Sequence, residues 1–107
     1  MNMREVKAFI HRNRIADVVS VLSSAGYRNL SVIDVHGLLY ALDNKEQQYS
    51  VEIGQKVITE VKLELVCENE SRTAKAVSLI REHAKTGQTN AGWIYISEIQ
   101  GAIEITG

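Results

Sequence analysis

The stretch that decides the fold is Glu60-Val61-Lys62-Leu63-Glu64-Leu65-Val66-Cys67, in which apolar side chains occupy every second position. A period of two is typical of a β-strand that buries one face and exposes the other. The residues of the apolar face are Val61, Leu63, Leu65 and Cys67. The stretch therefore predicts a strand that packs one side against a core.

Three more stretches predict strands. Residues 4–11 alternate in the same way, with Val6, Ala8 and Ile10 on the apolar face and Phe9 on the other. Residues 30–36 and 93–96 are short, rich in β-branched or aromatic side chains, and follow turn-forming residues. The sequence thus predicts four strands in total.

Apolar residues at helical spacing predict a helix after the first strand and another after the third. Asn13 is the expected N-cap of the first helix, and Gly26 is expected to follow its last residue. Ser71 is the expected N-cap of the second helix, and Thr86-Gly87 is expected to close it. The helical core positions are Ile15, Val18, Val19, Leu22, Thr73, Ala76, Val77, Ile80 and Ala84.

The order of these segments predicts an α+β fold, a ferredoxin-like βαββαβ sandwich, formed by a single domain over residues 1–107. A long loop, at about residues 38–56, separates strands two and three, and long loops in compact domains tend to be functional. Both helices of such a sandwich cover the same face of the sheet. The other face would carry Phe9 and Val66, so we expect it to pack against further subunits.

Composition excludes several classes of function. The formal net charge is -1, from 12 basic and 13 acidic side chains that are mixed along the chain, which argues against nucleic-acid binding and against electrostatic membrane attachment. No long apolar run suggests a signal peptide or membrane span, so a cytoplasmic location is expected. A single cysteine, Cys67, predicts a buried structural thiol. No nucleophile is paired with a base, so the chain is not expected to be an enzyme.

Several segments together resemble the PII signal-transduction proteins in order and spacing, over nearly the whole chain. The strand Ser31-Val32-Ile33-Asp34-Val35-His36-Gly37 resembles the family's T-V-x-E-V-K-G, and residues 60–66 resemble its K-V-K-I-E-I-V. The other matching segments are residues 6–10, 22–26, 84–87, 92–97 and 105–107. The resemblance implies a homotrimer, a long surface loop after Gly37, and regulation of a transporter or metabolic enzyme, as in nitrogen regulation.

The resemblance also implies a nucleotide cleft between subunits, where an adenine nucleotide would act as the small-molecule effector. Matching positions on the adenine side are Ser31, Gly37, Glu64 and Val66. The further positions that would line the cleft are Leu38, Gly87, Gly92 and Trp93, and the residues of the partner-binding loop would be Asp43, Lys45 and Tyr49.

The phosphate side of this cleft departs from the family pattern. Gln88 replaces a basic residue, Trp93 replaces a lysine, and Glu104 stands in a tail that lacks the family's two arginines. Each lost charge-assisted contact removes roughly 1.5–3 kcal/mol of binding free energy. We therefore expect ADP or AMP, rather than Mg-ATP, to be the ligand.

Alternative interpretations remain open at this point. The chain could be a ligand-independent trimeric adaptor, or a CutA-like metal-binding protein that uses histidine and cysteine ligands. Residues 86–92 could cradle phosphate or simply turn the chain into an edge strand, and Trp93 with Tyr95 could stack on a base or fill the cleft. The residues of the metal-binding alternative would be His11, His36, His83 and Cys67.

Overall fold

A computed structural model describes residues 3–34 and 60–107. The elements are β1 (Arg4–His11), a 3₁₀ turn (Arg12–Arg14), α1 (Ile15–Ser24), β2 (Leu30–Ile33), β3 (Glu60–Cys67), α2 (Glu70–His83) and β4 (Gly92–Glu98). The predicted loop, and the end of the second predicted strand at residues 35 and 36, lie outside the described residues. Within the described ranges, no helix is long and apolar enough to cross a membrane.

The four strands form one sheet in the order β2-β3-β1-β4. Every neighbouring pair is antiparallel, and β1 pairs with both β3 and β4 along its full length or nearly so. Buried residues of both helices join the same apolar cluster as alternate residues of β1 and β3. The expected α+β fold, with two helices on one face of a four-stranded antiparallel sheet, is therefore confirmed.

The core lies between this sheet face and the two helices. Alternate side chains of β1 and β3 are at most 3% exposed, as the period-two pattern predicts. The helices contribute their inward-facing residues at spacings of three and four. The buried core residues are Val6, Ala8, Ile10, Val18, Leu22, Tyr27, Val61, Leu63, Leu65, Cys67, Ala76 and Ile80.

The end of α1 is fixed by Gly26, as predicted. Its φ of 91° is accessible to glycine at little cost. The Gly26 N–H donates to the Ser23 carbonyl at 3.1 Å, and the Tyr27 N–H donates to the Leu22 carbonyl at 3.0 Å. These two bonds form a Schellman motif, which satisfies carbonyl groups that the helix leaves unpaired.

The start of α1 differs from the prediction, and Asn13 is not its cap. Asn13 lies inside the 3₁₀ turn, where its N–H donates to Nδ1 of His11 at 3.3 Å. Arg14 occupies the N-cap position and makes no side-chain capping bond. The imidazole of His11 therefore accepts the hydrogen bond from the first turn. The side-chain amide of Asn13 does not cap the helix.

The N-cap of α2 is Asn69 rather than the predicted Ser71. Oδ1 of Asn69 accepts a hydrogen bond from the Arg72 N–H at 2.8 Å. The Asn69 carbonyl accepts from the hydroxyl of Thr73, also at 2.8 Å, and Thr73 is buried. The helix thus begins at Glu70, and Ser71 lies inside its first turn.

The predicted closure of α2 by Thr86-Gly87 is also wrong, because the helix ends at His83. The carbonyl of its last residue is satisfied by a side chain of the 3₁₀ turn that precedes α1. The Arg14 guanidinium donates to the His83 carbonyl through Nε at 3.0 Å and through a terminal nitrogen at 2.8 Å. This contact pairs the terminal carbonyl of the helix, a role that the sequence predicted for the segment Thr86-Gly87.

Cys67 is buried at the end of β3, which confirms the predicted structural thiol. Burial raises the pKa of the Cys67 thiol, while a hydrogen bond with Thr73 and the charge of Arg72 act in the opposite direction. Arg72 also lies 3.7 Å from the centre of the Tyr27 ring, and the Tyr27 hydroxyl donates to the Arg72 carbonyl at 2.6 Å. These contacts attach the start of α2 to the end of α1.

Candidate functional site

The sheet face that the helices leave uncovered, here called the open face, carries charged and aromatic side chains. Two ion pairs lie on it: Lys62 Nζ is 3.3 Å from Glu64 Oε1, and Lys7 Nζ is 3.8 Å from Glu5 Oε1. The open face therefore offers hydrogen-bonding groups of both charges, in contrast to the apolar helix side.

Ser31 and Glu64 of the predicted adenine side are brought together on this face. They are directly opposed residues of β2 and β3, and cross-strand partners project on the same side of a sheet. The same row continues to Lys7 on β1 and Tyr95 on β4. The row thus places a hydroxyl, a carboxylate, an ammonium and a phenol in a line across the sheet.

Lys7 was not among the predicted site residues, and Tyr95 was considered only as a residue that could stack on a base with Trp93. What the sequence pattern could not give was the register that aligns them with Glu64. Val66, which was predicted, lies one row away opposite Glu5 and is 43% exposed.

Trp93 and Gly92 lie at the far edge of the sheet from Ser31. They begin β4, whereas Ser31 lies on β2, and three strand spacings of about 4.8 Å separate the two edges by roughly 14 Å. Gly87 lies in the turn before β4. A single protomer therefore does not bring Ser31 together with the Gly87, Gly92 and Trp93 group.

Gly92 has a structural requirement of its own. Its φ is 150°, and a Cβ atom there would collide with the carbonyl oxygen of Phe9 on the neighbouring strand. Only glycine allows β4 to approach β1 this closely at its first residue. Its presence in the sequence is thus explained by strand packing without any ligand.

The turn of residues 86–92 engages two of its own backbone donors. The Gln88 N–H donates to Oγ1 of Thr86 at 3.3 Å, and the Gly92 N–H donates to Oδ1 of Asn90 at 3.0 Å. A phosphate cradle needs backbone N–H groups that point outward and are available to the ligand. These two bonds favour the interpretation of the segment as a turn into the edge strand β4.

Two depressions lie beside the edge strand. An open groove of about 630 Å³ runs between α2 and β4 past Val77 and Ile96. A smaller cavity of about 160 Å³ lies at the end of α2, where Trp93 and Gly92 contribute to its lining. The small cavity therefore shares two residues with the predicted cleft.

Two residues of the metal-binding alternative, Cys67 and His11, lie far apart in the sheet. Cys67 lies opposite Arg4 at one end of the β1–β3 pair, and His11 lies opposite Glu60 at the other end. Seven residues of strand separate the two ends by roughly 23 Å. Among residues 3–34 and 60–107, no group of three histidine, cysteine or acidic residues is placed to hold a metal ion.

Six predicted residues fall outside the described parts of the chain, so their positions in the site stay predictions. They are His36, Gly37, Leu38, Asp43, Lys45 and Tyr49.

Known proteins are similar to this chain over nearly its whole length. A family model described as "Nitrogen regulatory protein P-II" matches residues 3–107. The "Nitrogen regulatory protein P-II 1" of Methanothermobacter thermautotrophicus is 29% identical over 105 residues, which cover 96% of this chain and 89% of the relative. The "Nitrogen regulatory protein P-II" of Pyropia yezoensis is 27% identical over 103 residues, with coverage of 96% and 91%.

A solved structure agrees with these matches. The crystal structure of Arabidopsis thaliana PII bound to citrate superposes with a TM-score of 0.67 at 25% sequence identity, covering 92% of this chain and 78% of that one. The resemblance seen in the sequence is thereby confirmed over the fold as well. The chain belongs to the nitrogen regulatory protein P-II family and has a PII-like role in regulatory signal transduction.

Proposed function

We propose that this chain senses an adenine nucleotide, ADP or AMP rather than Mg-ATP, which binds between the subunits of a homotrimer. The bound ligand would change the conformation of the loop at about residues 38–56, and this loop would control a transporter or a metabolic enzyme in the cytoplasm. Family membership supports the regulatory role, while the ligand, the assembly and the target are our proposal.

The observation that carries the proposal is the separation of the predicted cleft residues into two groups. Ser31 and Glu64 are paired near one edge of the sheet, whereas Gly92 and Trp93 lie at the other edge. A heterologous contact, in which one edge of a protomer meets the other edge of the next, closes into a ring when the rotation allows. In such a ring each cleft would receive one group from each of two neighbouring protomers.

Exposed apolar side chains support association of protomers. Trp93 and Tyr95 are each 54% exposed on the open face, and the Tyr95 ring packs edge-on against Phe9 with centroids 6.0 Å apart. Ile103 and Ile105 in the tail are 95% and 99% exposed. Burying aromatic rings contributes strongly to the stability of interfaces, so these residues are suited to contact another copy.

The charges of the two groups support a ligand with few phosphates. A triphosphate requires several guanidinium, ammonium and free N–H donors in one place. Gln88 and Gly92 have engaged their N–H groups within the turn, and Gln88 and Trp93 bring no charge. A nucleotide with one or two phosphates makes a smaller demand on such a site.

The test is calorimetric titration with ATP, ADP and AMP, each with and without Mg²⁺, on protein whose oligomeric state is measured by light scattering. We expect a trimer that binds ADP or AMP at micromolar affinity. Ser31→Ala and Glu64→Ala should each weaken that affinity by about tenfold, as loss of one hydrogen bond to a charged or polar partner implies. Glu68→Ala, which removes an exposed carboxylate just beyond β3, is the matched control and should bind normally.

A trimer that gives no heat with any of the three nucleotides would contradict nucleotide sensing. The second candidate, a trimeric adaptor whose loop binds its partner without a ligand, would then lead. The engaged N–H groups of the turn favour this candidate over tight triphosphate binding. A monomer at micromolar concentration would contradict both.

A further inference from the structure

The groove between α2 and β4 arises because the helix layer covers β1 more completely than β4. Val6 of β1 and Ile96 of β4 are direct cross-strand partners, so their side chains project from the same, helix-covered side of the sheet. Val6 is 0% exposed, whereas Ile96 is 52% exposed. The sheet wall of the groove therefore presents an aliphatic side chain that the protomer itself covers only in part.

The helix wall of the groove is formed by residues of α2 at spacings of three and four. Val77 is half-buried and packs against the core, while Ala74 and Ser78 are exposed and have small side chains. These small residues leave room between α2 and Ile96. The charged residues of the lining carry both signs: Arg4, Glu70, Arg81, Glu82 and Lys85. The groove is thus suited to aliphatic side chains rather than to a ligand of one charge.

β4 also has an unpaired edge. Within residues 3–34 and 60–107 its one neighbour in the sheet is β1, because β4 stands last in the order β2-β3-β1-β4. The N–H and C=O groups along such an edge pair readily with another extended segment, and neighbouring pockets then select its side chains. The groove and the edge together therefore form a surface for an extended segment with apolar residues on one side.

The chain itself contains such a segment, the tail of residues 99–107. The Ile99 N–H donates to the Met3 carbonyl at 3.1 Å, and every residue after Ile99 is exposed. Ile103 and Ile105 are 95% and 99% exposed, although isoleucine is among the residues most often buried. In an extended conformation both project on one side and Glu104 projects on the other. The two isoleucines do not pack in the groove of their own protomer, so they are available to another copy.

We propose that the tail of a second copy of this chain pairs with the outer edge of β4 and inserts its two isoleucines into the groove, against Ile96 and Val77. Glu104 then projects toward the open face, which already carries charged side chains. Residues 102–106 span about 17 Å when extended, and the seven residues of β4 span about 24 Å, so the tail fits along the edge. The inference rests on the association of copies proposed above and requires no nucleotide.

Site-directed cross-linking tests which surface the tail contacts. Chains with Ile105→Cys and affinity-tagged chains with Ser78→Cys are refolded together and treated with a short thiol-reactive cross-linker. We expect a product that joins a tagged chain to an untagged chain. The matched control uses Ser20→Cys, on the exposed side of α1, in place of Ser78→Cys and should give no more of this product than wild-type chains do. Native Cys67 is buried, and the wild-type chains measure its background.

Assembly measurements test the energetic role of the same contact. Sedimentation equilibrium gives the dissociation constant of the assembly. Ile105→Asp should raise this constant by about tenfold or more, because a carboxylate replaces an aliphatic side chain at a buried contact. Glu104→Ser, which changes the neighbouring side chain on the other side of the tail, should leave it unchanged. Both positions are exposed in the protomer, so neither variant disturbs the core.

Four results would overturn the inference. One is protein that stays monomeric. Another is self-associating protein in which Ser78→Cys gives no more of the product between chains than Ser20→Cys does. A third is cross-linking only within chains that carry both Ile105→Cys and Ser78→Cys and are diluted into wild-type chains, which would assign the groove to each protomer's own tail. The last is an unchanged dissociation constant in Ile105→Asp.

Failure here is distinguishable from failure of nucleotide sensing. An assembly that binds ADP or AMP but lacks the cross-link overturns this inference alone. An assembly that is cross-linked but gives no heat with any nucleotide overturns nucleotide sensing alone.

Discussion

The two faces of the sheet are built from the same strands but have opposite character. On the helix side, Leu63 and its alternate neighbours are almost completely buried and entirely apolar. On the open face, Lys62 and Glu64, which flank Leu63 in the sequence, form a partly exposed ion pair. The apolar face therefore forms the core that stabilises the fold. Residues of the open face can be replaced to suit a binding partner, because a change there need not disturb the core.

The largest loss of stability is expected from a change on the helix side of the sheet. Leu63→Ala should lower the free energy of unfolding by about 2–5 kcal/mol, since a fully buried leucine leaves a cavity when truncated. Urea denaturation at one fixed protein concentration measures this change, because assembly would make stability concentration-dependent.

Lys62→Ala is the control for the opposite face. It removes an ion pair with partly exposed partners and should cost less than about 1 kcal/mol. Equal losses for Leu63→Ala and Lys62→Ala would show that the two faces do not differ in the way the burial pattern indicates.

A smaller effect is expected from the cap of α2, the helix that covers the core side. Asn69→Ala should lower stability by about 1 kcal/mol, because the Arg72 N–H loses its acceptor. Ser71→Ala, two residues later, should change it by less than about 0.5 kcal/mol. Thermal or urea unfolding of the pair measures the difference, and the reverse ranking would restore Ser71 as the cap.

The smallest effect concerns pH and the buried thiol. Because burial raises the pKa of Cys67, the folded chain keeps this proton to a higher pH than the unfolded chain does. The resulting stabilisation is fully present below the unfolded thiol's pKa of about 8.5 and is lost as pH rises through the folded value. Stability should thus fall with increasing pH above about 8.5.

Cys67→Ala serves as the control for this titration and should show a shallower decline over the same range. Burial also raises the pKa of Tyr27, so some decline at still higher pH remains in the variant. An identical pH dependence in both proteins would contradict the assignment to Cys67.

The sequence predicted those features that depend on periodicity. The alternation of β3 identified Leu63 as core and Glu64 as open-face, and Gly26 marked the end of α1. Local polar patterns were less informative about helix ends. His11 and Asn69 replaced the expected caps, because several nearby side chains can cap and packing decides among them.

Features that depend on distant contacts were not predictable. The last carbonyl of α2 is satisfied by Arg14, 69 residues away in the chain, and no local signal at His83 reveals this contact. The alignment of Ser31, Glu64, Lys7 and Tyr95 needs the register of three strand pairs. The small cavity needs the juxtaposition of α2 with the start of β4, which no local pattern in the sequence indicates.

The pairing of β1 with β3 affects how the chain folds, because these two strands are far apart in the sequence. Forming the His11–Glu60 pair closes a loop of about fifty residues, a non-local step that slows folding. The entropic cost of closure grows only with the logarithm of length, by about 0.6 kcal/mol for each doubling. The stretch of chain between β2 and β3 can therefore lengthen or shorten over evolution at little thermodynamic cost.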